Sequence, residues 1–266
     1  GYDKNFVTGV TASSGGLGVL IPPSLPMVMF AITVGSVSIG SMLTAGIIPG
    51  VLCGIALMVY CYIYCKRHPV KIDHTEKTMG IFESLKDGFW ALLTPVVILG
   101  GIYSGLFTAT EAAAVACVYA LIVSLFIYRT VTFKQLPGIL LRAAGLNAPI
   151  LIIVAAATVL GRALAIQNVP EALAATILSV TSNKWVIMLL LNILLLIVGM
   201  LMETLSAITI LAPILMPVAA GIGIDPIHFG VIMVANLAIG FVTPPVGTNL
   251  YTAASITGIP VKNLCK

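Results

Sequence analysis

Residues 1–25 read GYDKNFVTGVTASSGGLGVLIPPSL, and residues 223–247 read GIDPIHFGVIMVANLAIGFVTPPVG. With Gly1 set against Gly223 the two align without a gap: Asp3 faces Asp225, Gly18 faces Gly240, and Pro22-Pro23 faces Pro244-Pro245. Both stretches are apolar, yet both hold too many breakers for one regular helix. Proline removes a backbone donor, and glycine in a helix interior costs about 1 kcal/mol relative to alanine. Each segment therefore reads as two half-helices around an unwound centre, over residues 4–36 and about 227–256. Pro and Gly are also common in membrane helices as plain kinks. The same breakers at the same spacing favour a shared role.

The rest of the chain has the composition of a membrane protein. Of 266 residues 59% are apolar and 8% charged, against about 25% charged in soluble domains. A membrane helix needs about 20 mainly apolar residues, and such runs recur at 40–65, 89–107, 111–128 and 146–166. The stretch 185–220 is also apolar, with Glu203 as its only charge. Between them lie a polar, amphipathic segment from Lys66 to about Gly88, a second connector over 129–145 and an interfacial segment over 169–182. The fold class is all-α and polytopic, embedded in a lipid bilayer. The net charge of +4 sits mostly in loops, where it reports orientation and not nucleic-acid binding.

Positive charge gathers in the loop at 66–88 and the connector at 129–145, which places both in the cytoplasm. The turn near Thr110 is then outside, and the span 146–166 runs outward. The stretch 185–220 is long enough to dip in and return as a re-entrant hairpin with its tip near Glu203. The second broken segment then crosses inward and ends beside Lys262 and Lys266. The first broken segment runs from inside to outside, so the repeat is inverted. Inverted pairs of broken helices are the signature of secondary transporters, whose sites lie near the midplane where the repeats meet.

An unwound stretch leaves peptide groups without helical partners, at several kcal/mol for each one left unpaired in lipid. Ions and polar solutes can supply those partners. The first segment offers Ser13, Ser14, Gly15, Gly16, Gly18, Pro22, Pro23 and Ser24. Its hydroxyls and freed carbonyls suit Na⁺, and the helix starting near Pro23 and Ser24 turns a positive end toward an anion. The second repeat offers Glu203, Thr204 and Ser206 at the hairpin tip, with Gly240, Thr243, Pro244, Pro245, Gly247, Thr248 and Asn249 from the broken helix. The expectation is one sodium at each unwound centre, acting as coupling ion, with a small organic anion between them. Helix ends and sodium would balance that anion, because Arg162 lies near the end of its span and no arginine is deep. Glu203 has two compatible readings, a functional intramembrane acid or a cap on the second hairpin arm.

Other chemistries find little support. The histidines, His68, His74 and His228, share no ligand spacing with cysteine or each other, so no metal other than sodium and no organic cofactor is expected. Cys53, Cys61, Cys65 and Cys117 lie in or at the ends of apolar spans and read as buried thiols, with Cys265 near the end of the chain. Glu111-Ala112-Ala113 resembles the loop by which ATP-driven permeases dock their ATPase, but that loop is cytoplasmic and this string opens a span on the outer side. No GxxxxGK[ST] phosphate loop occurs. An intramembrane enzyme would need a nucleophile with its base or paired acids, and no GxSxG, HExxH or second deep carboxylate is present. A purely structural scaffold would gain nothing from two unwound helices.

The chain resembles the large membrane subunit of the tripartite ATP-independent periplasmic (TRAP) transporters. The words that carry the likeness are GYDK at the start, TASSGGLGVLIPPSLPM at 11–27, AGIIPG at 45–50, TATEAAAVA at 108–116, VGMLMETLSAITILAPILMP at 198–217 and the stretch from Gly223 to Gly247. The resemblance implies an inverted-repeat, elevator-type fold in the bacterial inner membrane, driven by a sodium gradient. It implies two partners, a small membrane subunit and a periplasmic substrate-binding protein, and a substrate such as a C4-dicarboxylate or sialic acid. Residues 1–36 would be the broken helix of the first repeat, 37–183 scaffold and arm elements, and 184–266 the second repeat. The family's first hairpin is expected before Gly1 and a last helix after Lys266. A sodium–anion symporter of similar build that needs no binding protein is the alternative within the class.

Overall fold

The structure is a computed structural model that describes residues 2–69, 80–169, 183–245 and 247–264, together with residues 172, 175, 176 and 179. Every regular element among the described residues is helical. In chain order these are α1 (Lys4–Ser14), α2 (Leu17–Leu20), α3 (Leu25–Val34), α4 (Ile39–Arg67), α5 (Ile81–Tyr103), α6 (Ala109–Ile122) and α7 (Leu136–Ile166). They continue with α8 (Lys184–Leu201), α9 (Thr204–Gly221), α10 (Pro226–Gly240), α11 (Thr248–Thr257) and α12 (Val261–Leu264). Among the described residues six stretches are long and apolar enough to cross a membrane: Lys4–Val34, Ile39–Arg67, Phe82–Tyr103, Ala109–Ile127, Lys184–Leu201 and Thr204–Gly221. This is a multi-pass membrane protein.

Side chains at the helix starts explain many boundaries, because the first backbone N–H groups of a helix have no partner within it. Asp3 accepts from Asn5 N at 2.8 Å, and its counterpart Asp225 accepts from Ile227 N at 2.8 Å and His228 N at 3.3 Å. Thr108 and Glu111 form a reciprocal capping box at the start of α6. That box accounts for Glu111 as a helix-start acid.

Two helices start earlier than hydropathy places them. α5 begins at Ile81 instead of 89, and α7 at Leu136 instead of 146. The last parts of the amphipathic connectors, residues 81–88 and 136–145, are helical because nothing in them stops the coil: Gly88 is a modest penalty, and Pro137 sits in a first turn where no donor is needed. The segment between Val70 and Met79, which includes His74, lies outside the described residues, as do most of the expected interfacial segment and the last two residues, Cys265 and Lys266.

The chain divides into two compact units, one of Gly1–Val70 with Ile152–Lys266 and one of Lys71–Leu151. Within the second, α5 and α6 pair antiparallel across the turn at 104–108. Tyr119 Oη donates to Trp90 O at 2.8 Å and Tyr128 Oη to Asp87 O at 2.6 Å, so residues later in one helix meet residues earlier in the other. The first unit holds both broken segments. Its centre is a packed apolar core in which Met27, Phe30, Met42, Ile208, Phe229 and Met233 are fully buried, and Phe30 and Phe229 meet at a centroid distance of 6.4 Å. α10 lies against α8, α9, α2 and α4.

The outer faces are apolar too. Phe82 is 88% exposed and Trp185 79% exposed, with Ile48, Leu141 and Ile256 similarly bare. Lipid, not water, is the medium that accepts such faces. For the same reason the cysteine expectation is corrected: Cys53 and Cys117 are exposed and Cys61 and Cys65 half-buried, so these thiols sit on or near helix surfaces and not in the chain's own core.

Candidate functional site

The first segment loses its coil in two places. α1 stops at Ser14, Gly15 and Gly16 turn the chain, α2 lasts one turn, and α3 restarts at Leu25. Ser13 and Ser14 thus occupy the last turn of α1, Gly18 lies in α2, and Pro22 and Pro23 form the second break with a cis bond between them. Ser24 caps α3. Its hydroxyl donates to Val19 O and accepts from Met27 N at 3.3 Å, so it is committed to holding the break together. Ser14 Oγ likewise donates to Thr11 O at 2.8 Å.

The second segment differs in detail. α10 runs without interruption to Gly240, past the positions that match the Gly15-Gly16 turn. Among the described residues its break covers 241–245 and Gly247, and Pro244–Pro245 is again cis. Phe241 N, Val242 N and Thr243 N turn back to Ala238 O, Ile239 O and Gly240 O, and Thr243 Oγ1 donates to Ile239 O at 2.7 Å. Gly247 has a positive φ of 31° and leads into α11, which opens with Thr248 and Asn249.

Tertiary packing brings the two breaks together. Asn249 Nδ2 donates to Ala12 O at 3.1 Å, and a Cβ added to Gly15 would lie 2.6 Å from the same nitrogen. A Cβ on Gly16 would lie 3.6 Å from Ala238 O. A cleft of about 640 Å³ runs beside this contact, lined by Asp3, Phe6 and Ser13 of the first segment, Tyr60 and Tyr64 of α4, and Val242 and Leu250 of the second segment.

The end of α8 meets the end of α10, just before the second break. A Cβ on Gly240 would run into the carbonyl carbon and oxygen of Gly199, one turn before the tip. Glu203 caps α9, its Oε2 accepting from Ser206 N at 3.0 Å and from Ser206 Oγ at 3.3 Å. Of the two readings of Glu203, the cap is formed, and the residue as a whole is exposed. Next to it Thr204 is 1% exposed, and its Oγ1 has no hydrogen-bond partner among the described residues. A buried hydroxyl without a partner costs about 1–3 kcal/mol. Thr204 is thus the one buried polar side chain at the tip that invites a ligand.

Three features escape a reading by breakers and charge. The Gly199–Gly240 approach is one. The second is a hydrogen bond of 2.7 Å from Asn236 Nδ2 to Asn192 Oδ1 across α8 and α10, foreshadowed only by two asparagines inside apolar helices. The third is the Asn249 link to Ala12, between residues too far apart in sequence to suggest each other. Among the described residues no three His, Cys, Asp or Glu side chains cluster as metal ligands do.

The chain matches, over residues 1–266, the family model of the tripartite ATP-independent periplasmic transporter, DctM component. It is 43% identical over 267 residues to the isethionate TRAP transporter permease protein DctMQ of Oleidesulfovibrio alaskensis, covering 100% of this chain and 42% of that one. It is 41% identical over 261 residues to the C4-dicarboxylate TRAP transporter large permease protein DctM of Pseudomonas aeruginosa, covering 98% and 61%. With the sialic acid TRAP transporter large permease protein SiaM of Vibrio cholerae it shares 42% identity over 265 residues, covering 100% and 62%. The chain therefore spans less than two thirds of the length of these relatives. All three are named as transporter permeases, not enzymes. A helical membrane chain with two matching broken segments, aligned along its whole length with this family model, belongs to the tripartite ATP-independent periplasmic transporter family as its DctM, or large permease, component.

Proposed function

We propose that the complete permease carries a small organic anion into the cell across the bacterial inner membrane, drawing on the sodium gradient. The observation that supports this most is the meeting of the two breaks at Gly15, Ala12 and Asn249. Two segments that both break at a matched Pro-Pro pair, and that touch where Asn249 meets the Gly15 turn, support a midplane site of the kind secondary transporters use. One sodium sits at each unwound centre and the anion between them, facing the starts of α3, α9 and α11, whose dipoles favour negative charge. Ser13, Ser14, Gly15, Gly16 and Gly18 serve the first centre; Thr204, Thr243, Gly247 and Thr248 serve the second. α8 and α9 act as a re-entrant hairpin, and that hairpin moves with the two broken segments as the elevator.

The substrate follows the relatives by chemical class. Isethionate, C4-dicarboxylates and sialic acid are all small organic anions, and a C4-dicarboxylate or an acidic sugar fits a site built from helix starts and sodium. A periplasmic binding protein delivers it, and a small membrane subunit completes the assembly. Sodium entry is worth about 2.3 kcal/mol per charge per 100 mV, so two or more ions support steep accumulation of an anion. In proteoliposomes holding the complete permease, small subunit and binding protein, uptake is expected only with an inward sodium gradient. ATP-dependent uptake indifferent to sodium would overturn the reading.

A further inference from the structure

The last turn of α1 leaves one carbonyl over. Gly15 N and Ser14 Oγ both bond to Thr11 O, and Gly16 N turns back to Ser13 O. Ala12 O would take Gly16 N in a continuing helix, so the early turn strips it of its partner, and Ala12 is buried. A buried carbonyl must find a donor. It finds Asn249 Nδ2 at 3.1 Å, from the other repeat. Facing a carbonyl, the amide can only present its nitrogen, which fixes how the side chain is turned.

Asn249 is held from the other side as well. Its backbone N donates to Phe241 O at 3.1 Å, the first residue after α10. One residue is thereby hydrogen-bonded to both breaks, by its main chain to the second and by its side chain to the first. Gly15 makes room for this, since a Cβ there would crowd Asn249 Nδ2 at 2.6 Å. The link is one-sided. In the alignment that sets Gly1 on Gly223, Asn249 falls on Met27, which is apolar and fully buried in the core.

We infer that Asn249 is a positioning residue that couples the two unwound centres, its amide tying the end of α1 to the second break so that occupancy of one centre favours occupancy of the other. The inference rests on the reading of both breaks as sodium sites. A movement of Phe241 on binding an ion pulls on Asn249 through Phe241 O and so on the last turn of α1. Coupling of this kind is reciprocal, whichever centre fills first.

The test is sodium activation of uptake by the complete permease with its partners in proteoliposomes, read as steepness and half-activating concentration. Asn249→Ala should flatten the curve and raise the half-activating sodium about threefold to tenfold, the range one net hydrogen bond allows. Gly15→Ala should do the same by displacing the amide, and the double variant should be no worse than the worse single one, because both remove the same contact. Asn249→Asp separates this role from direct ligation when assayed well above the ordinary carboxylate pKa of about 3.9. It keeps an oxygen and adds charge but loses the donor, so positioning predicts the alanine phenotype. Sodium activation by Asn249→Asp at or below the wild-type concentration would show a ligand instead and overturn the inference, as would unchanged steepness in Asn249→Ala. A merely structural residue would lower yield or maximal rate and leave the steepness alone, which melting in sodium-free buffer controls. Where Asn249→Ala cannot be recovered, Asn249→Asp decides. Sodium-indifferent uptake by the wild type would sink the sodium reading itself, an outcome visible without any variant.

Discussion

At the scale of single residues, Thr204 and Glu203 illustrate how neighbours in sequence receive different work. Glu203 spends its carboxylate on the first turn of α9, as a helix-start acid should. Thr204 is buried with an unpartnered hydroxyl, a cost that a ligand or ion would remove. Thr204→Val keeps the shape and deletes the hydroxyl. The expected result is equal or higher thermal stability in sodium-free buffer, because an unsatisfied group is gone, together with a smaller stabilisation on adding sodium. An unchanged sodium response would take Thr204 out of the site. Both residues were legible as polar outsiders in an apolar stretch. Which of them is spent and which is left over depends on the geometry of one turn, and the sequence carries no sign of it.

At the scale of elements, packing decides which glycines matter. Gly18 has open space where its Cβ would be, whereas Gly240 lies against the backbone of Gly199. Small residues let helices approach backbone to backbone where lipid offers no hydrophobic drive. Gly240→Ala is expected to force α8 and α10 apart and lower stability by about 1–3 kcal/mol or more, the cost of overpacking a tight site. Melting of the purified permease measures this, and a melting temperature within error of wild type would refute the contact. Gly18→Ala, the aligned glycine, should be near neutral. The alignment makes these two glycines equivalent, and the structure does not.

At the scale of the whole molecule, the first unit holds an internal core built from both repeats, while apolar faces point outward to lipid. Orientation in the membrane rests on charge alone. By charge, the turn at 104–108 is expected outside and the connector at 129–145 inside. Single cysteines at Ser104 and Thr130, in a permease cleared of its native cysteines, should label with a membrane-impermeant thiol reagent from opposite sides, Ser104 from the periplasm. Both positions labelling from one side would end the inverted arrangement, and with it the midplane site.

Hydropathy, charge placement and breaker spacing are local properties, and they sufficed for the helical membrane class, the broken segments and their internal match. A helix of apolar residues forms in lipid whatever surrounds it, because its backbone bonds are all internal. Contacts are a different matter. The meeting of Asn249 with Ala12, of Gly199 with Gly240 and of Asn192 with Asn236 joins residues tens to hundreds of positions apart, and only close packing of whole helices chooses such partners. The earlier starts of α5 and α7 belong to the same lesson, for hydropathy marks where lipid begins and not where a helix does.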